Sequence, residues 1–270
     1  VLQRLITGKV AQAFGGRLRV AVSGGAALEP AKARALIGLG VPLVEGYGLT
    51  EAGPVVTAST LNTYLPGHVG FVLPGIDVKL SRDRELMIHS PSLMAGYWRN
   101  DIATQEILDA GGWLSSGDLA EIRDGRIRII GRAKNVLVLT NGENVNPEPI
   151  EAALDADPLF DQVCVIGDGK AWLAALIVLN RESWNAATDE AGISPADPNS
   201  GPGSWLIGER LKELLREYPP HQTVRGFHAD FDAWTVERGL LTPTLKPKRE
   251  PIMAEYRDRI EMLYGQSRQD

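Results

Sequence analysis

An Asp-Gly pair at positions 124–125 makes the chain double back on itself. It lies within residues 112–151, GWLSSGDLAEIRDGRIRIIGRAKNVLVLTNGENVNPEPIE, between two segments of alternating apolar and polar residues. That pattern predicts a β-hairpin closed by a two-residue turn. Asp118 and Arg132 each follow a glycine, one on either arm, so the hairpin carries them to one edge. A carboxylate that accepts from vicinal hydroxyls, set beside a guanidinium donor, is chemistry suited to a ribose, and a nucleotide site is the first expectation.

Upstream, Leu2, Leu5, Ile6, Val10 and Ala13 recur at helical spacing. Residues 18–22 then read as a short buried strand, 23–27 as a small-residue turn, 29–39 as a helix and 41–44 as a second strand. This is a βαβ unit, whose ligands lie beyond the carboxyl ends of its strands. Gly25 and Ala26 occupy the first turn at that edge, and Gly46-Tyr47-Gly48 the second. Glycines admit a ligand close to the backbone, Tyr47 offers a flat face to a base, Thr50 a hydroxyl to a phosphate, and Glu51 a hard oxygen to a magnesium ion. On composition alone, Tyr47 is a core or surface aromatic and Glu51 a solvated helix-start residue. Residues 66–89 alternate short strands with Gly/Pro turns, which predicts a small barrel-like subdomain beside the nucleotide fold. His68 and His89 have no second ligand at coordinating spacing and read as structural.

Downstream, residues 136–264 read as further mixed helices and strands. They comprise a strand at 136–139, a turn at Asn141-Gly142 and a helix at 147–154, with Pro147 in its first turn and Glu148 and Glu151 near its start. Strands at 163–166 and 172–179 are joined by Asp168-Gly169, residues 186–203 form a surface excursion, and helices follow at 205–218 and 249–264. Residues 241–249, LTPTLKPKR, make a rigid cationic loop that on chemistry alone is a solvated surface loop.

Three separated segments resemble one family: EGYGLTE at 45–51, GWLSSGDL with GRAKN at 112–135, and LTPTLKPKR at 241–249. In this order and spacing they resemble the adenylate-forming enzymes, which include acyl-CoA synthetases, peptide-synthetase adenylation domains and luciferases. The wording is most similar to the bacterial long-chain fatty acyl-CoA synthetases. The resemblance implies the C-terminal part of that fold: residues 1–134 from the large AMP-binding domain, made of a partial α/β nucleotide subdomain and a barrel-like subdomain, and 135–270 as a small mobile α+β domain. It implies nucleotide contacts at Gly25, Ala26, Tyr47, Gly48, Thr50, Asp118 and Arg132. Glu51 would ligate magnesium, and Thr50, Glu51 and Lys246 would serve catalysis, with Lys248 the rival if the register slips by two. Lys134 would be the hinge, and Gly142 would border the path of CoA. The family usually places a glycine before its lysine, where this chain has Leu245. Fatty acid, ATP and CoA are the implied substrates, with Mg2+ as the ion.

The family's Ser/Thr/Gly-rich phosphate loop has no counterpart in residues 1–23, and the chain starts at Val1. A missing N-terminal portion of the same protein is therefore an expected partner, and this piece alone is expected to be inactive. The acceptor reading has two rivals: an acyl-AMP ligase or an adenylation domain that loads a carrier protein, and a non-catalytic adenylate-binding module. A formal charge of −6 over 270 residues gives no reason to expect nucleic acid. The single cysteine, Cys164, cannot form an internal disulfide and fits a reducing, cytoplasmic setting. No apolar run reaches the ~20 residues that span a bilayer, while a peripheral membrane contact stays open for an enzyme of lipids.

Overall fold

Asp124 and Gly125 both adopt left-handed φ, 50° and 74°, as a tight hairpin turn requires. This computed structural model describes residues 2–265, with side chains from residue 7 onward, so the expected apolar contacts of Leu2, Leu5 and Ile6 lie outside the described side chains. The chain divides into two compact units, Val1–Lys134 and Asn135–Asp270.

The first unit runs α1 (Leu2–Ala13), β1 (Ala21–Ser23), α2 (Pro30–Gly38), β2 (Leu43–Gly48), β3 (Val55–Ala58), β4 (Gly70–Val72), β5 (Asp77–Leu80), β6 (Glu85–His89), α3 (Asp101–Ile107), β7 (Leu114–Arg123) and β8 (Arg126–Arg132). Its strands form one open sheet in the order β1-β2-β3-β4-β8-β7-β6-β5, with β1 parallel to β2 and the other pairs antiparallel. The barrel-like subdomain expected over 66–89 is corrected here. Its strands join the same sheet as the βαβ unit, and β1 and β5 stay at opposite edges without closing among the described residues. The first strand also differs from the expected buried one. As an edge strand with one neighbour it leaves Val20 and Val22 exposed, Val22 at 71%. Residues 46–48 are not a turn but the end of β2, paired with β3 through Gly46↔Ala58, Tyr47↔Thr57 and Gly48↔Val55. Only glycine fits at 48, because a Cβ there would lie 1.8 Å from the Pro54 carbonyl oxygen. The unit's main core gathers Val56, Leu86, Ile88, Leu114, Ala120 and Ile127, all fully buried.

The second unit contains β9 (Leu137–Val138), β10 (Asn144–Val145), α4 (Pro147–Leu154), β11 (Phe160–Ile166), β12 (Leu173–Leu179), α5 (Arg181–Glu190), α6 (Gly201–Leu214), β13 (Val224–Asp230), α7 (Arg249–Glu255) and α8 (Arg257–Gly265). A three-stranded sheet, β11-β12-β13, has its centre in β12, where every residue is buried. Alternation divides that strand between two cores. Leu173, Ala175, Ile177 and Leu179 pack with Ile150, Leu154, Ile207 and Leu211, while Ala174, Leu176 and Val178 pack with Trp234, Ile252 and Tyr256. Helices thus cover both faces, and burial of each such aliphatic side chain stabilises by about 1.5–3 kcal/mol.

Three sequence expectations change here. Helices α5 and α6 take up both ends of the expected excursion, leaving only 191–200 irregular. The expected helix over 249–264 breaks at Tyr256, whose buried hydroxyl accepts from Trp234 Nε1 at 3.2 Å and donates to Asp230 Oδ2 at 2.7 Å. Strand β13 was not expected at all.

Candidate functional site

The arms of the hairpin bring Asp118 directly opposite Arg132, but only through an irregularity. From the turn outward the register runs evenly to Ala120↔Ile129; one extra residue on β8 then shifts it, giving Leu119↔Gly131 and Asp118↔Arg132. This β-bulge sets the guanidinium beside the carboxylate, with Arg132 Nε 2.8 Å from Asp118 Oδ1. Tyr47, at the end of β2, donates its hydroxyl to Asp118 Oδ2 at 2.6 Å. The aspartate is 6% exposed, and its backbone N–H donates to Ser116 Oγ at 3.1 Å. Gly117, at φ 72°, donates its N–H to Glu85 Oε1 at 2.8 Å, which holds the turn into the aspartate. Burial, with the Asp118 charge and hydrogen bond behind it, pushes the Tyr47 phenol far above its ordinary value. The phenol therefore remains a donor to Asp118 at any physiological pH.

Beside this trio lies the rest of the edge. Strand β1 ends at Ser23, paired with Glu45, so the loop carrying Gly25 and Ala26 starts next to Gly46; a Cβ at Gly24 would touch the Gly46 carbonyl oxygen at 3.4 Å. Gly25 takes φ 77°, with no atom within 4 Å of a built Cβ. Thr50 and Glu51 form a 3-10 turn (Thr50–Ala52) just after β2, with Thr50 exposed. Glu51 Oε1 accepts from Tyr97 Oη at 2.7 Å. One half-exposed carboxylate suits Mg2+, which keeps several waters and takes much of its coordination from substrate phosphates; the residues present fit that mode. Among the described residues, no group of three or more His, Cys, Asp and Glu could hold a metal. His89 packs on the Trp113 ring at 5.4 Å and lies 3.9 Å from Asp77.

The remaining candidates sit elsewhere. Lys134 is exposed in a 3-10 turn (Ala133–Asn135) and is the last residue of the first unit. In the second unit Gly142, at φ 85°, closes the β9–β10 turn, donating its N–H to Leu139 O at 2.9 Å, with open space around a built Cβ. Lys246 stands exposed on the 241–249 loop. Its N–H donates to Thr242 Oγ1 at 3.0 Å and its carbonyl accepts from Thr242 N at 2.8 Å. Leu245 holds φ 62°, a left-handed conformation that glycine adopts without cost. Lys248 is exposed, and its N–H donates to Leu240 O at 2.8 Å. Sequence reasoning missed the partners Tyr97 and Ser116, and also Tyr64, whose hydroxyl donates to buried Glu45 at 2.6 Å. Glu45 opens the EGYGLTE segment, and a carboxylate inside an apolar strand was the signal for it.

Two family models match the chain: AMP-binding enzyme over residues 1–98, and AMP-binding enzyme C-terminal domain over residues 134–197. The long-chain-fatty-acid–CoA ligase FadD15 of Mycobacterium bovis is 35% identical over 98% of this chain and 45% of its own length. A long-chain-fatty-acid–[acyl-carrier-protein] ligase, AEE15, of Arabidopsis thaliana is 30% identical over 93% of this chain and 36% of its own length. Among solved structures, the adenylation domain of a carboxylate reductase from Mycobacterium chelonae superposes with a TM-score of 0.78 at 26% identity, covering 97% of this chain and 41% of that one. The chain spans less than half the length of these relatives.

Proposed function

This chain belongs to the AMP-binding enzyme family, and from that premise we propose that it is the C-terminal part of a fatty acid–CoA ligase. The parent would join a fatty acid to the α-phosphate of ATP with loss of pyrophosphate, then pass the acyl group to the thiol of CoA with loss of AMP. The observation that carries this reading is the buried Asp118 carboxylate, fixed between Tyr47 and Arg132, with small residues at the strand ends around Tyr47. Such a carboxylate can accept from both ribose hydroxyls. The Tyr47 ring, tethered by its hydroxyl, would flank the base, while Gly25, Ala26 and Gly48 let the nucleotide approach the backbone.

Thr50 would donate to a phosphate oxygen, and Glu51, steadied by Tyr97, would hold Mg2+. The ion would supply charge neutralisation across the phosphates. Lys246 would meet the attacking carboxylate oxygen and the α-phosphate together, because two anions approach only where a cation offsets their charge. Backbone rotation at Lys134 would withdraw that lysine for the second step and bring the Gly142 turn to the thiol's path. The first unit would be part of the large AMP-binding domain and the second the mobile one. The remainder of the polypeptide would supply the phosphate loop and much of the acyl pocket, so this chain alone would not turn over. Among the described residues no helix is long and apolar enough to cross a membrane. The parent would be a cytoplasmic enzyme with peripheral access to lipid.

The similarity to an acyl-carrier-protein ligase supports a second reading, in which the acceptor thiol belongs to a carrier protein. One assay tests both. The parent polypeptide is supplied with a fatty acid, ATP and Mg2+, then with either CoA or a phosphopantetheinylated carrier protein. Pyrophosphate release followed by acyl-CoA is the expected result. Acyl transfer to the carrier alone would replace the first reading with the second, and no fatty-acid-dependent pyrophosphate release would overturn both.

A further inference from the structure

Helix α4 carries two carboxylates one turn apart, Glu148 and Glu151, and each holds a different functional segment. Glu148 Oε1 accepts from Asn135 Nδ2 at 2.7 Å. Asn135 directly follows Lys134, so this bond ties the chain leaving the proposed hinge to the helix start. Glu151 Oε1 accepts from Arg249 Nη2 at 2.7 Å and from the Val165 N–H at 2.7 Å. Arg249 closes the lysine loop, and its Nη1 also donates to the Val165 carbonyl. Both members of the ion pair are less than one fifth exposed. The other end of the loop is fixed by apolar burial, since Leu240 and Leu241 sit in the core behind β12. Lys248 N to Leu240 O joins the two ends, and Lys246 projects between them.

We infer that Arg249 and Glu151 are positioning residues for Lys246, and that α4 acts as a strut on which the hinge exit and the lysine loop move as one body. This rests on the roles proposed above for Lys246 and Lys134. The physical argument is one of stiffness. A lysine on an exposed loop has four rotatable side-chain bonds, and its reach is reproducible only if the loop base does not shift. A guanidinium with two donors on two different acceptors fixes that base in two directions, which a lysine at 249, with a single charge centre, cannot reproduce in full. Since Glu148 lies one turn from Glu151, displacement of the segment after the hinge is transmitted through a helix rather than through a flexible connection.

The test separates the two half-reactions in the parent polypeptide. Arg249→Met and Glu151→Gln are expected to slow fatty-acid-dependent pyrophosphate release at least tenfold. Thioester formation from supplied acyl-adenylate and CoA, which does not use Lys246, should change less than threefold, and Arg249→Lys should restore part of the first rate. In parallel, hydrogen exchange at the hydrogen-bonded amides of Thr242, Leu245, Lys246 and Lys248 in this chain should accelerate in both variants, while β12 stays protected. An equal fall in both half-reactions, or no change in loop exchange in the isosteric Glu151→Gln, would overturn the positioning role. Lys246→Ala is the control: if it leaves pyrophosphate release intact, the assignment of Lys246 fails, and the positioning role falls with it for that separate, identified reason.

Discussion

Asp118 and Lys246 carry opposite charges in opposite settings. The carboxylate is 6% exposed and held by one side chain from the neighbouring β8 and one from β2, four places away in the sheet, whereas the ammonium stands on an exposed loop fixed through its backbone. A group that must recognise the same hydroxyls in every cycle gains from rigidity before the ligand arrives. A group that must arrive and leave gains from exposure, because between visits a charge kept out of water without a partner would be costly. On the proposed roles, a sheet register would serve the first need and a remote ion pair the second.

Variants can pull this contrast apart. The largest effect is expected at the loop: Lys246→Ala should slow pyrophosphate release in the parent by about 10²–10³-fold, the scale for losing one transition-state contact to developing charge. Its melting temperature should not move, since the side chain is exposed. At the rigid edge the reverse holds. Asp118→Ala strips a partner from Arg132 and Tyr47, and thermal or urea unfolding of this chain should report a loss of about 2–3 kcal/mol in the first unit. Titration with AMP should show affinity falling by tenfold or more. An Asp118 variant that loses affinity with no change in stability would mean the edge is not built in advance.

Gly48→Ala probes the same edge through packing alone. Its Cβ would collide with Pro54 O, so β2 must shift from β3 at a cost of about 1–3 kcal/mol, read from the same unfolding curves. A smaller and opposite change is expected at Leu245→Gly, which removes a left-handed strain and should raise stability by at most about 1 kcal/mol. Leu245→Ala, which keeps a Cβ at φ 62°, should bring no such gain.

The smallest effect is a pH dependence of the second unit. Burial holds the His228 pKa below its ordinary value, with Arg259 acting in the same direction and Asp230 and Asp197 opposing it. The folded state therefore binds its proton less readily than the unfolded one. Stability is full above the ordinary histidine pKa and declines as pH falls through that value towards the depressed folded one. Melting temperatures of the second unit should thus drop from pH 7.5 to pH 5.5, and His228→Gln should flatten that part of the profile.

Much of this was legible in residue order. Asp124-Gly125 specified a turn, and the apolar run from Leu173 to Leu179 specified a strand, because local chemistry decides both; that helices cover it on both faces came only with the structure. Segment ends were less legible. Residues 46–48 read as a turn from their glycines, yet those glycines serve close strand pairing with β3, a contact set by residues seven to twelve positions away. Helix 249–264 breaks at Tyr256, whose hydroxyl donates to Asp230, on a strand the sequence reading missed. That the strands of the barrel-like subdomain over 66–89 join the βαβ sheet without closing was illegible for a similar reason, since short strands and turns do not encode which neighbours they join. At the candidate site, Asp118 and Arg132 could be paired from sequence, but Tyr97 behind Glu51 and Arg249 behind Lys246 could not, because both contacts depend on tertiary approach.

The extra residue in β8 has a consequence for how this hairpin can vary in length. Counted from the Asp124-Gly125 tip, an unbroken ladder would set Asp118 opposite Gly131 and turn Arg132 to the other face. Paired insertions or deletions at the tip, one residue on each arm, leave the far register untouched. A single insertion anywhere between Asp118 and Arg132 would cancel or double the offset. Length changes in related hairpins should therefore come in matched pairs, and a one-residue change should remove the guanidinium from the carboxylate while leaving every residue of the pair in place in the sequence.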